Sequence, residues 1–421
     1  MTHYDVLILG AGAAGLIAAS AAATRGRRTL LLEKNPRPGI KILMSGGTRC
    51  NLTHATDKWG IVKAYGDQGN FLHSALAALG PSDLVKLFED EGVPTKVEET
   101  GKVFPVSNQA ADVLAALVHF MERSGAEIAL REPALNVARE GERFQVTTSL
   151  RELTCDSLLI TTGGKSYPGS GTTGDGYAWA ATFGHTIIPP RPALVPITTD
   201  APWVKALTGL TIPDVGVAVV QRTSPATGDN SPRSTSPVLA IARGSFLFTH
   251  FGLSGPVVLD VSRAVTAHAD PRALDLICDF LPETKGETLE KQLQQDAAAD
   301  GKKQLVGILS RYIPRRLAEA LLGVLNLAAE FRAAELSKKD RARLVAAVKA
   351  TAIPVAGTRG FAKAEVTAGG VSLAEVDSRT LQSKLVPGLF FAGEVLDLDG
   401  PIGGYNFQAA FSTGILAGQN V

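Results

Sequence analysis

The chain has 421 residues, a length typical of about two to three domains. Its 42 basic and 41 acidic side chains leave a net charge of +1, which excludes a global field that would draw the protein to nucleic acid or to a membrane. Glycine is unusually frequent, with 43 residues against a typical share of about 7%. This excess predicts many places where the backbone approaches another group closely.

The cysteines and the N-terminus indicate a cytoplasmic protein. Cys50, Cys155 and Cys278 have neither CxxC nor metal-ligand spacing, so we expect no disulfide framework and no metal site. The apolar stretch Val6–Ala23 has no basic residue before it and contains three glycines, which is not the pattern of a signal peptide or a membrane helix. We therefore also expect no membrane partner.

The first 34 residues have the pattern of a β-α-β unit. The apolar run Tyr4–Leu9 is followed by helix formers over Ala13–Thr24 and by a second apolar run at Arg28–Leu32. Further along, periodicity predicts helices at 71–80, 82–91 and 108–124, and strands at 127–130, 144–148 and 157–162.

The composition changes after residue 185, where several prolines precede β-rich runs at 216–221, 238–241, 245–248 and 274–280. The Ser/Thr/Pro-rich stretch Arg222–Pro237 is predicted to be a mobile hairpin loop. From Glu283 to about Ala350 the pattern is helical and charged, and a glycine-rich β-type pattern returns after Ile353. This order predicts one α/β domain that is interrupted by an insert.

A dinucleotide-binding fingerprint lies at the start of the chain. Gly10-Ala11-Gly12-Ala13-Ala14-Gly15 is a G-x-G-x-x-G that follows the first strand and opens the first helix. The first glycine allows a tight turn, the second lets the backbone approach a pyrophosphate, and the third lets helix and strand pack closely. Glu33 ends the second strand, where a carboxylate can accept hydrogen bonds from a ribose. The pattern alone does not distinguish NAD from FAD.

Further motifs occur in order along nearly the whole chain: GIKILMSGGTRCNLT at 39–53, FPVS at 104–107, GGKSYP at 163–168, GDGY at 174–177, LVP at 194–196, FTHFGLSGP at 248–256, GEVLD at 393–397 and GGYNFQ at 403–408. Together they resemble the HI0933-like family of FAD-dependent oxidoreductases, which are glutathione-reductase-type flavoproteins. Thr48 stands where the family usually has glycine, and Ala409 stands where many members have tryptophan.

The resemblance implies an α/β fold: a Rossmann-like FAD-binding domain with an inserted β-barrel-like domain and a small helical subdomain. The expected boundaries are 1–190 and 355–421 for the first, 191–282 and about 350–360 for the second, and 283–350 for the third. FAD is expected to bind non-covalently. Because no second nucleotide domain is visible, NAD(P)H is expected to be a transient electron donor.

The resemblance also implies the residues that hold FAD. The 46–51 loop is expected to border the isoalloxazine ring or the pyrophosphate, Lys41 to hydrogen-bond the flavin, and Glu394 to contact the ribityl chain. The final helix, expected at 407–417, is predicted to point its N-terminus at the flavin. The full expected set is Gly10, Gly12, Ala13, Ala14, Gly15, Glu33, Lys34, Lys41, Ser45, Gly46, Gly47, Arg49, Asn51, Leu135, Gly163, Gly164, Gly393, Glu394, Gly403, Gly404, Asn406 and Phe407. For Arg49, the alternative is that it only ties loops together.

Reduction of an activated carbon–carbon double bond, the activity implied by the family, needs an acid that protonates one of the two carbons. Cys50 in the flavin loop is the first candidate, and the alternative is that it is a small buried hydrophobic residue. His250 and Tyr405 are the other candidates, although His250 is better suited to anchoring the insert. Cys155 and Cys278 are predicted to be core residues.

The favoured substrate is a uridine of 23S ribosomal RNA, converted to dihydrouridine. The alternatives are a small steroid-like or bile-acid-like enone, and, in another class, a flavin amine oxidase or flavin-binding module. Residues 302–349 carry 11 basic and four acidic side chains, which is either an RNA contact or an ordinary solvated helix face. Arg315, Arg316, Lys338 and Lys339 are the RNA-contact candidates.

Overall fold

A computed structural model of the protein describes residues 1–222, 237–328 and 330–421. Apart from its two end residues, the predicted loop Arg222–Pro237 lies outside the described residues. The strands are β1 (Thr2–Leu9), β2 (Thr29–Glu33), β3 (Thr53–His54), β4 (Thr95–Val97), β5 (Lys102–Pro105), β6 (Glu127–Leu130), β7 (Ala134–Glu140), β8 (Arg143–Thr148), β9 (Glu152–Ile160), β10 (Ile187–Ala193), β11 (Ile197–Thr198), β12 (Thr211–Gln221), β13 (Val238–Thr249), β14 (Gly252–Ser254), β15 (Leu274–Asp279), β16 (Thr351–Pro354), β17 (Gly357–Thr358), β18 (Val366–Val371) and β19 (Leu389–Phe391).

The helices are α1 (Ala13–Thr24), α2 (Ile40–Met44), α3 (Lys58–Ala64), α4 (His73–Ala78), α5 (Pro81–Asp90), α6 (Ala110–Arg123), α7 (Asp175–Thr182), α8 (Pro202–Ala206), α9 (Pro256–Ala267), α10 (Gly286–Ala299), α11 (Leu305–Leu309), α12 (Arg315–Val324), α13 (Lys338–Lys349) and α14 (Tyr405–Asn420). Two compact units contain them: Met1–Pro192 with Glu365–Val421, and Ala193–Ala364. Among the described residues, no helix combines the length and apolar character that a membrane span requires.

The first unit is organised by a seven-stranded sheet in the order β6-β2-β1-β9-β8-β7, with β19 paired to the second half of β9. Strands β6, β2, β1, β9 and β19 are parallel, whereas β7 and β8 run antiparallel beside them. All five residues of β2 are buried, as expected for a parallel strand covered on both faces. The turns after β1, β9 and β19 therefore meet at one edge of the sheet, which is where such folds bind ligands.

Small residues allow α1 and α14 to pack very closely. A Cβ added to Gly414 would lie 2.5 Å from the carbonyl oxygen of Ala14, and one added to Gly418 would lie 2.4 Å from that of Ala18. Ten of the twelve residues of α1 are buried. The contact fixes the end of the chain against the helix that begins at the glycine-rich turn.

The second unit is built on an antiparallel sheet in the order β16-β15-β12-β13-β14-β11-β17. Its edge strands β16 and β17 are joined by only Val355 and Ala356, so the two edges must lie close together. The Val355 N–H donates to Leu274 O at 3.1 Å on one side, and the Ala356 N–H donates to Thr198 O at 2.9 Å on the other. The sheet therefore curls on itself like a barrel.

The predicted fold class is confirmed: a Rossmann-type parallel sheet occurs with an additional antiparallel sheet and helices. In the second unit, Phe246 and Leu276 of the sheet share one apolar core with Leu289, Leu321 and Leu344 of the helices. The helical segment thus packs on the sheet, and its boundaries as a separate subdomain stay a prediction.

Most predicted elements of the first unit occur within a few residues of their expected bounds, and the Ala13–Thr24 helix begins and ends where it is predicted. The separation of 238–241 from 245–248 is wrong, because β13 runs through both. Arg243 opposes Gly216 and Gly244 opposes Val215, so pairing with β12 continues across the apparent turn. Helices α3, α7 and α9 are not predicted by the sequence patterns.

An ion pair with a buried carboxylate, beside β2, yields a prediction for stability. Glu132 is 3% exposed and accepts hydrogen bonds from Arg151 Nε (2.9 Å), Arg151 Nη2 (3.1 Å) and Thr148 Oγ1 (2.8 Å). Burial alone would raise the pKa of this carboxyl, but the hydrogen bonds from Arg151 and Thr148 outweigh burial and lower the pKa below its ordinary value of 4.5. We expect Glu132→Gln to lower the free energy of unfolding at neutral pH by about 1–3 kcal/mol.

The sign of the pH dependence follows from that lowered pKa. The stabilisation is fully present above pH 4.5, the ordinary value, and is lost as the pH falls through the lower pKa of the folded protein. Urea unfolding of both proteins at a series of pH values should therefore show two curves that converge in acid. A difference that stays constant across this range would contradict the prediction.

Candidate functional site

The glycine-rich turn between β1 and α1 leaves open space before the helix. A Cβ added to Gly15 would lie 1.9 Å from Gly10 O, and one added to Gly10 (φ +105°) would lie 2.8 Å from Thr161 O. A Cβ on Gly12, by contrast, would meet no atom beyond its chain neighbours within 4 Å. The N–H groups of the first turn of α1, which include those of Ala13 and Ala14, have no partners within the helix. This arrangement suits a pyrophosphate.

Glu33 at the end of β2 is hydrogen-bonded to the glycine-rich turn. Its Oε2 accepts the Ala11 N–H at 2.8 Å and its Oε1 accepts the Asn35 N–H at 2.9 Å. A carboxylate has about four acceptor positions, so two remain for ribose hydroxyls. Lys34, the next predicted residue, pairs with Asp175 through Nζ and Oδ2 at 2.5 Å.

The predicted residue Leu135 lies close to the same end of β2. The Glu132 N–H donates to Glu33 O at 3.0 Å, which holds the segment before β7 beside this strand. Leu135 is 61% exposed and falls within an irregularity of the β7–β8 register. An exposed apolar side chain here suits contact with an adenine ring.

The 45–51 loop has an unusual backbone. Gly46 (φ +55°), Gly47 (φ +67°), Thr48 (φ +69°) and Cys50 (φ +59°) all have left-handed conformations. Glycine tolerates this conformation, but a β-branched residue such as Thr48 is strained in it, which explains why a glycine suits this position. The Cys50 N–H donates to Ser45 O at 3.2 Å and closes the loop.

Arg49 ties this loop to the neighbouring β4–β5 hairpin. Its Nη1 donates to Glu98 Oε1 at 2.6 Å, and its guanidinium lies 4.0 Å from the ring centroid of Phe104. Its side chain is nevertheless 37% exposed. Arg49 therefore does connect the two loops, and its exposed edge leaves donors for an anion. Whether it also contacts the cofactor stays a prediction.

Lys41 and Glu394 form the centre of a hydrogen-bond network. Lys41 Nζ donates to Glu394 Oε2 at 2.5 Å and to Ser166 Oγ at 2.6 Å. Glu394 Oε1 accepts from Ser166 Oγ at 2.7 Å and from the Thr367 N–H at 2.9 Å. A Cβ on Gly164 would lie 2.4 Å from Thr367 Oγ1. The network joins α2, the segment after β9, β18 and the segment after β19.

The start of α14 is also shaped by glycines. Gly403 (φ +129°) and Gly404 (φ +96°) precede the helix, and a Cβ on Gly404 would lie 2.4 Å from Thr53 O. The side chain of Asn406 closes this turn, because its Oδ1 accepts the Gly400 N–H and its Nδ2 donates to Gly400 O, both at 2.9 Å. Phe407 follows and stacks on Phe411, with ring centroids 6.0 Å apart.

The other predicted glycines also lie at tight backbone positions. Gly393 (φ +76°) donates its N–H to Thr413 Oγ1 at 2.9 Å, and a Cβ there would lie 2.9 Å from Ala14 Cβ. Gly163 (φ +71°) follows the end of β9. These contacts bring the segments after β9 and β19 to the N-terminal end of α1.

Three buried polar atoms have no hydrogen-bond partner among the described residues: Asn51 Oδ1 in the 45–51 loop, Thr162 Oγ1 after β9 and the Tyr177 hydroxyl of α7. Buried polar groups are nearly always paired, so these atoms need a partner that the described residues do not supply. Burial, with a further contribution from nearby Glu394 and Asp397, raises the pKa of Tyr177, which keeps its hydroxyl protonated as a donor. Together with the open space at Gly12, these atoms fit a bound dinucleotide.

The three acid candidates have different surroundings. Cys50 is fully buried in the apolar core, and burial raises the pKa of its thiol to about 12. This favours the interpretation as a packed hydrophobic residue. Tyr405 is half-buried and stacks on His54 with centroids 4.8 Å apart. His250 is exposed between β13 and β14 of the second unit. Cys155 and Cys278 are fully buried, as predicted.

Ser166, Thr367, His54 and Tyr65 are absent from the sequence-based set. The Tyr65 hydroxyl donates to Tyr405 O at 3.1 Å, and His54 Nδ1 lies 3.2 Å from Gly403 O. Ser166 lies within the GGKSYP motif and His54 directly follows the flavin-loop motif, so motif position is a signal for these two. Thr367 and Tyr65 have no such signal, because only the fold brings them to the site.

The basic segment 302–349 is largely paired. Arg311 Nη1 lies 2.7 Å from Asp296 Oδ1, Lys349 Nζ lies 2.6 Å from Asp279 Oδ2, and Arg341 Nε lies 3.5 Å from Glu290 Oε1. These acids precede the segment in the chain. Of the RNA-contact candidates, Arg315 pairs with Glu319, and Arg316 donates to Ala206 O and Thr208 O. Lys338 and Lys339 are exposed and have no ion pair within the described ranges.

Comparison with known proteins places the chain in a family. The model described as the HI0933-like protein Rossmann domain matches residues 4–420. The chain is 35% identical over its full length to 98% of an Escherichia coli protein named ribosomal RNA dihydrouridine synthase. It is 33% identical to a Haemophilus influenzae protein of the same name, with 98% of this chain and 97% of that protein covered.

A third relative has a different name. The chain is 32% identical to a 3-dehydro-bile acid delta(4,6)-reductase of Clostridium scindens, with 98% of this chain and 97% of that protein covered. The family match spans the glycine-rich turn, the 45–51 loop and the segments after β9 and β19. The chain therefore belongs to the HI0933-like family, and it is an FAD-dependent oxidoreductase.

Proposed function

We propose that this protein reduces the C5=C6 bond of a uridine in 23S ribosomal RNA with electrons from NAD(P)H. The observation that carries the proposal is the 35% identity over the whole chain to a ribosomal RNA dihydrouridine synthase. The reaction adds a hydride to one carbon of the double bond and a proton to the other, so the site must position both a redox cofactor and an acid.

The residues around the glycine-rich turn would hold FAD. The Gly12 turn and the N-terminus of α1 would take the pyrophosphate, and Glu33 with Leu135 would take the adenosine end. The 45–51 loop, the Lys41–Glu394 network and the start of α14 would surround the remainder. When bound there, FAD would supply the redox chemistry, which is acceptance of two electrons from NAD(P)H and delivery of a hydride to the substrate.

Tyr405 is the acid that the geometry supports best. Its ring is half-buried and held by the stack on His54, whereas Cys50 is sealed in the core. The phenol hydroxyl of Tyr405 can give its proton to the substrate carbon. The final helix begins at Tyr405, and this placement fixes its backbone.

Substitution of Tyr405 and of Cys50 distinguishes these two candidates for the proton donor. We expect Tyr405→Phe to slow substrate reduction at least about 100-fold, because it removes the proton and retains the stacked ring. Cys50→Ala should leave that rate within about threefold, because a buried thiol with a raised pKa contacts no substrate. Stopped-flow reoxidation of the reduced enzyme by substrate measures both rates. If the Cys50→Ala enzyme is as slow as Tyr405→Phe, Cys50 would again be the favoured proton donor.

The electron donor is tested by anaerobic mixing of the holoenzyme with NADH and with NADPH. Loss of the oxidised flavin absorbance with either one supports the reductase proposal. Failure with both removes the proposed donor, and bleaching by an amine instead would favour the amine-oxidase alternative.

The substrate is tested by mass mapping of dihydrouridine in 23S ribosomal RNA from cells with and without the gene. A dihydrouridine that disappears on deletion and returns with the intact gene supports the proposal, and an unchanged map removes it. The second candidate, a bile-acid-like enone, is favoured by the 32% identical bile-acid reductase. Turnover of such an enone with an unchanged RNA map would establish that alternative.

A further inference from the structure

An exposed tryptophan lies on α3, the helix that follows the flavin-loop motif by a few residues, and it contacts the first residue of α4. Trp59 is 57% exposed, whereas the other two tryptophans of the chain, Trp179 and Trp203, are half-buried. Its ring contacts that of His73 edge-on, with centroids 5.1 Å apart, and Lys58 Nζ lies 5.4 Å from its centroid. The ring is thus held in place while most of it faces solvent.

Two lysines of α3 lie beside this ring. Lys63 lies four residues after Trp59 and therefore on the same face of α3. Lys58 and Lys63 are both exposed, and neither lies within 4.0 Å of a carboxylate in the part of the chain that the structure describes. The neighbouring Asp57 is used as the helix cap, where it accepts the Gly60 N–H at 2.8 Å.

The far end of α3 is anchored to the candidate site. Ile61 is fully buried, and Tyr65, which directly follows α3, donates its hydroxyl to Tyr405 O at 3.1 Å. Trp59 precedes Tyr65 by six residues, which corresponds to about 9 Å along a helix axis. A nucleotide bound at Trp59 would therefore be held on the helix that leads to Tyr65 and to its contact with Tyr405.

We propose that Lys58, Trp59, Lys63 and His73, here called the Trp59 surface, bind single-stranded RNA by stacking one base on the Trp59 ring. This inference rests on the proposed ribosomal RNA substrate. The edges of a uracil ring in a stacked helix are shielded, so the target must leave the stack, and its unpaired neighbours then need a new stacking partner. Aromatic rings flanked by lysines meet that need, because every base has a π-face and every nucleotide a phosphate.

The test is binding of a short single-stranded oligouridine, labelled with fluorescein, to the holoenzyme over a series of KCl concentrations. We expect Trp59→Ala to weaken binding roughly tenfold, and Trp59→Phe to weaken it much less. Lys58→Gln with Lys63→Gln should lower the slope of log Kd against log salt by about 1.4, the value for two phosphate contacts on a single strand.

Trp179→Phe is the matched control, and it should bind oligouridine like the unaltered protein. All variants should retain FAD and bleach with NAD(P)H at the unaltered rate, because the Trp59 surface does not form the cofactor site. If the unaltered enzyme binds oligouridine and Trp59→Ala binds it equally well, this inference fails while the proposed function stands. If the unaltered enzyme does not bind RNA at any salt concentration, both fail.

Discussion

Gly15→Ala should destabilise the fold, whereas Gly12→Ala should weaken FAD binding without changing the stability of the FAD-free protein. Gly15→Ala places a Cβ 1.9 Å from Gly10 O and 2.7 Å from Thr161 Oγ1, so α1 must move away from the turn. We expect it to lower the free energy of unfolding of the FAD-free protein by about 3 kcal/mol and to lower FAD affinity as well. The helix cannot relax easily, because Gly414 and Gly418 hold its other side against α14.

Gly12→Ala should leave folding intact. Gly12 has φ −82° and ψ −169°, which any residue adopts, and its added Cβ meets only open space. We expect the free energy of unfolding to change by less than about 0.5 kcal/mol, while FAD affinity falls roughly 10- to 100-fold because a methyl group occupies the approach to the helix N-terminus.

Chemical unfolding of the FAD-free proteins and titration with FAD measure the two effects separately. Gly26→Ala, whose φ of +79° strains an alanine in open space far from any predicted cofactor residue, is a control for backbone strain alone. A Gly12→Ala protein that binds FAD as tightly as the unaltered chain would show that the pyrophosphate does not approach Gly12.

Loss of the Lys41–Glu394 ion pair should have the second largest effect on stability and on FAD binding. Glu394→Gln places an amide donor against Lys41 Nζ, while Lys41→Met leaves the carboxylate with donors from Ser166 and Thr367 only. The two side chains are 29% and 18% exposed, so solvent screens the pair only in part. We expect each substitution to cost about 2 kcal/mol of unfolding free energy and to speed FAD dissociation, because four chain segments lose their common contact.

The double variant tests whether the two residues act as a unit. Its cost should fall short of the sum of the single costs by at least about 1 kcal/mol. Lys86→Met provides the control, since Lys86 and Asp90 form an exposed pair on α5 with 73% and 62% exposure, and solvent screening leaves such a pair with little effect on stability. Additive effects, or equal effects of Lys86→Met, would show that the network does not hold the segments together.

Local patterns were sufficient for the elements whose signals lie within a few residues. The strand, glycine turn and helix from 4 to 24 have strict spacing, and the structure reproduces them. The division of 238–248 into two strands fails because Gly244 resembles a turn in sequence, whereas its conformation is decided by pairing with β12. The short helices α3 and α7 are likewise stabilised by their packing rather than by their own periodicity.

The charge of the helical segment is a second property that local patterns alone do not predict. Counted along the chain, residues 302–349 have an excess of seven positive charges. The fold then brings Asp279, Glu290 and Asp296 from the preceding segment to Lys349, Arg341 and Arg311. Of the four RNA-contact candidates, Lys338 and Lys339 lack a partner within the described ranges.

The sequence by itself determined the α/β class, the dinucleotide turn and the family, because these depend on glycines and apolar runs at fixed spacings. Only the tertiary structure decided how the site residues are used. It seals Cys50 in the core, pairs Lys41 with Glu394 from 353 positions away, and leaves Trp59 exposed beside two lysines. Burial and long-range contacts depend on which segments meet, and no local spacing encodes that.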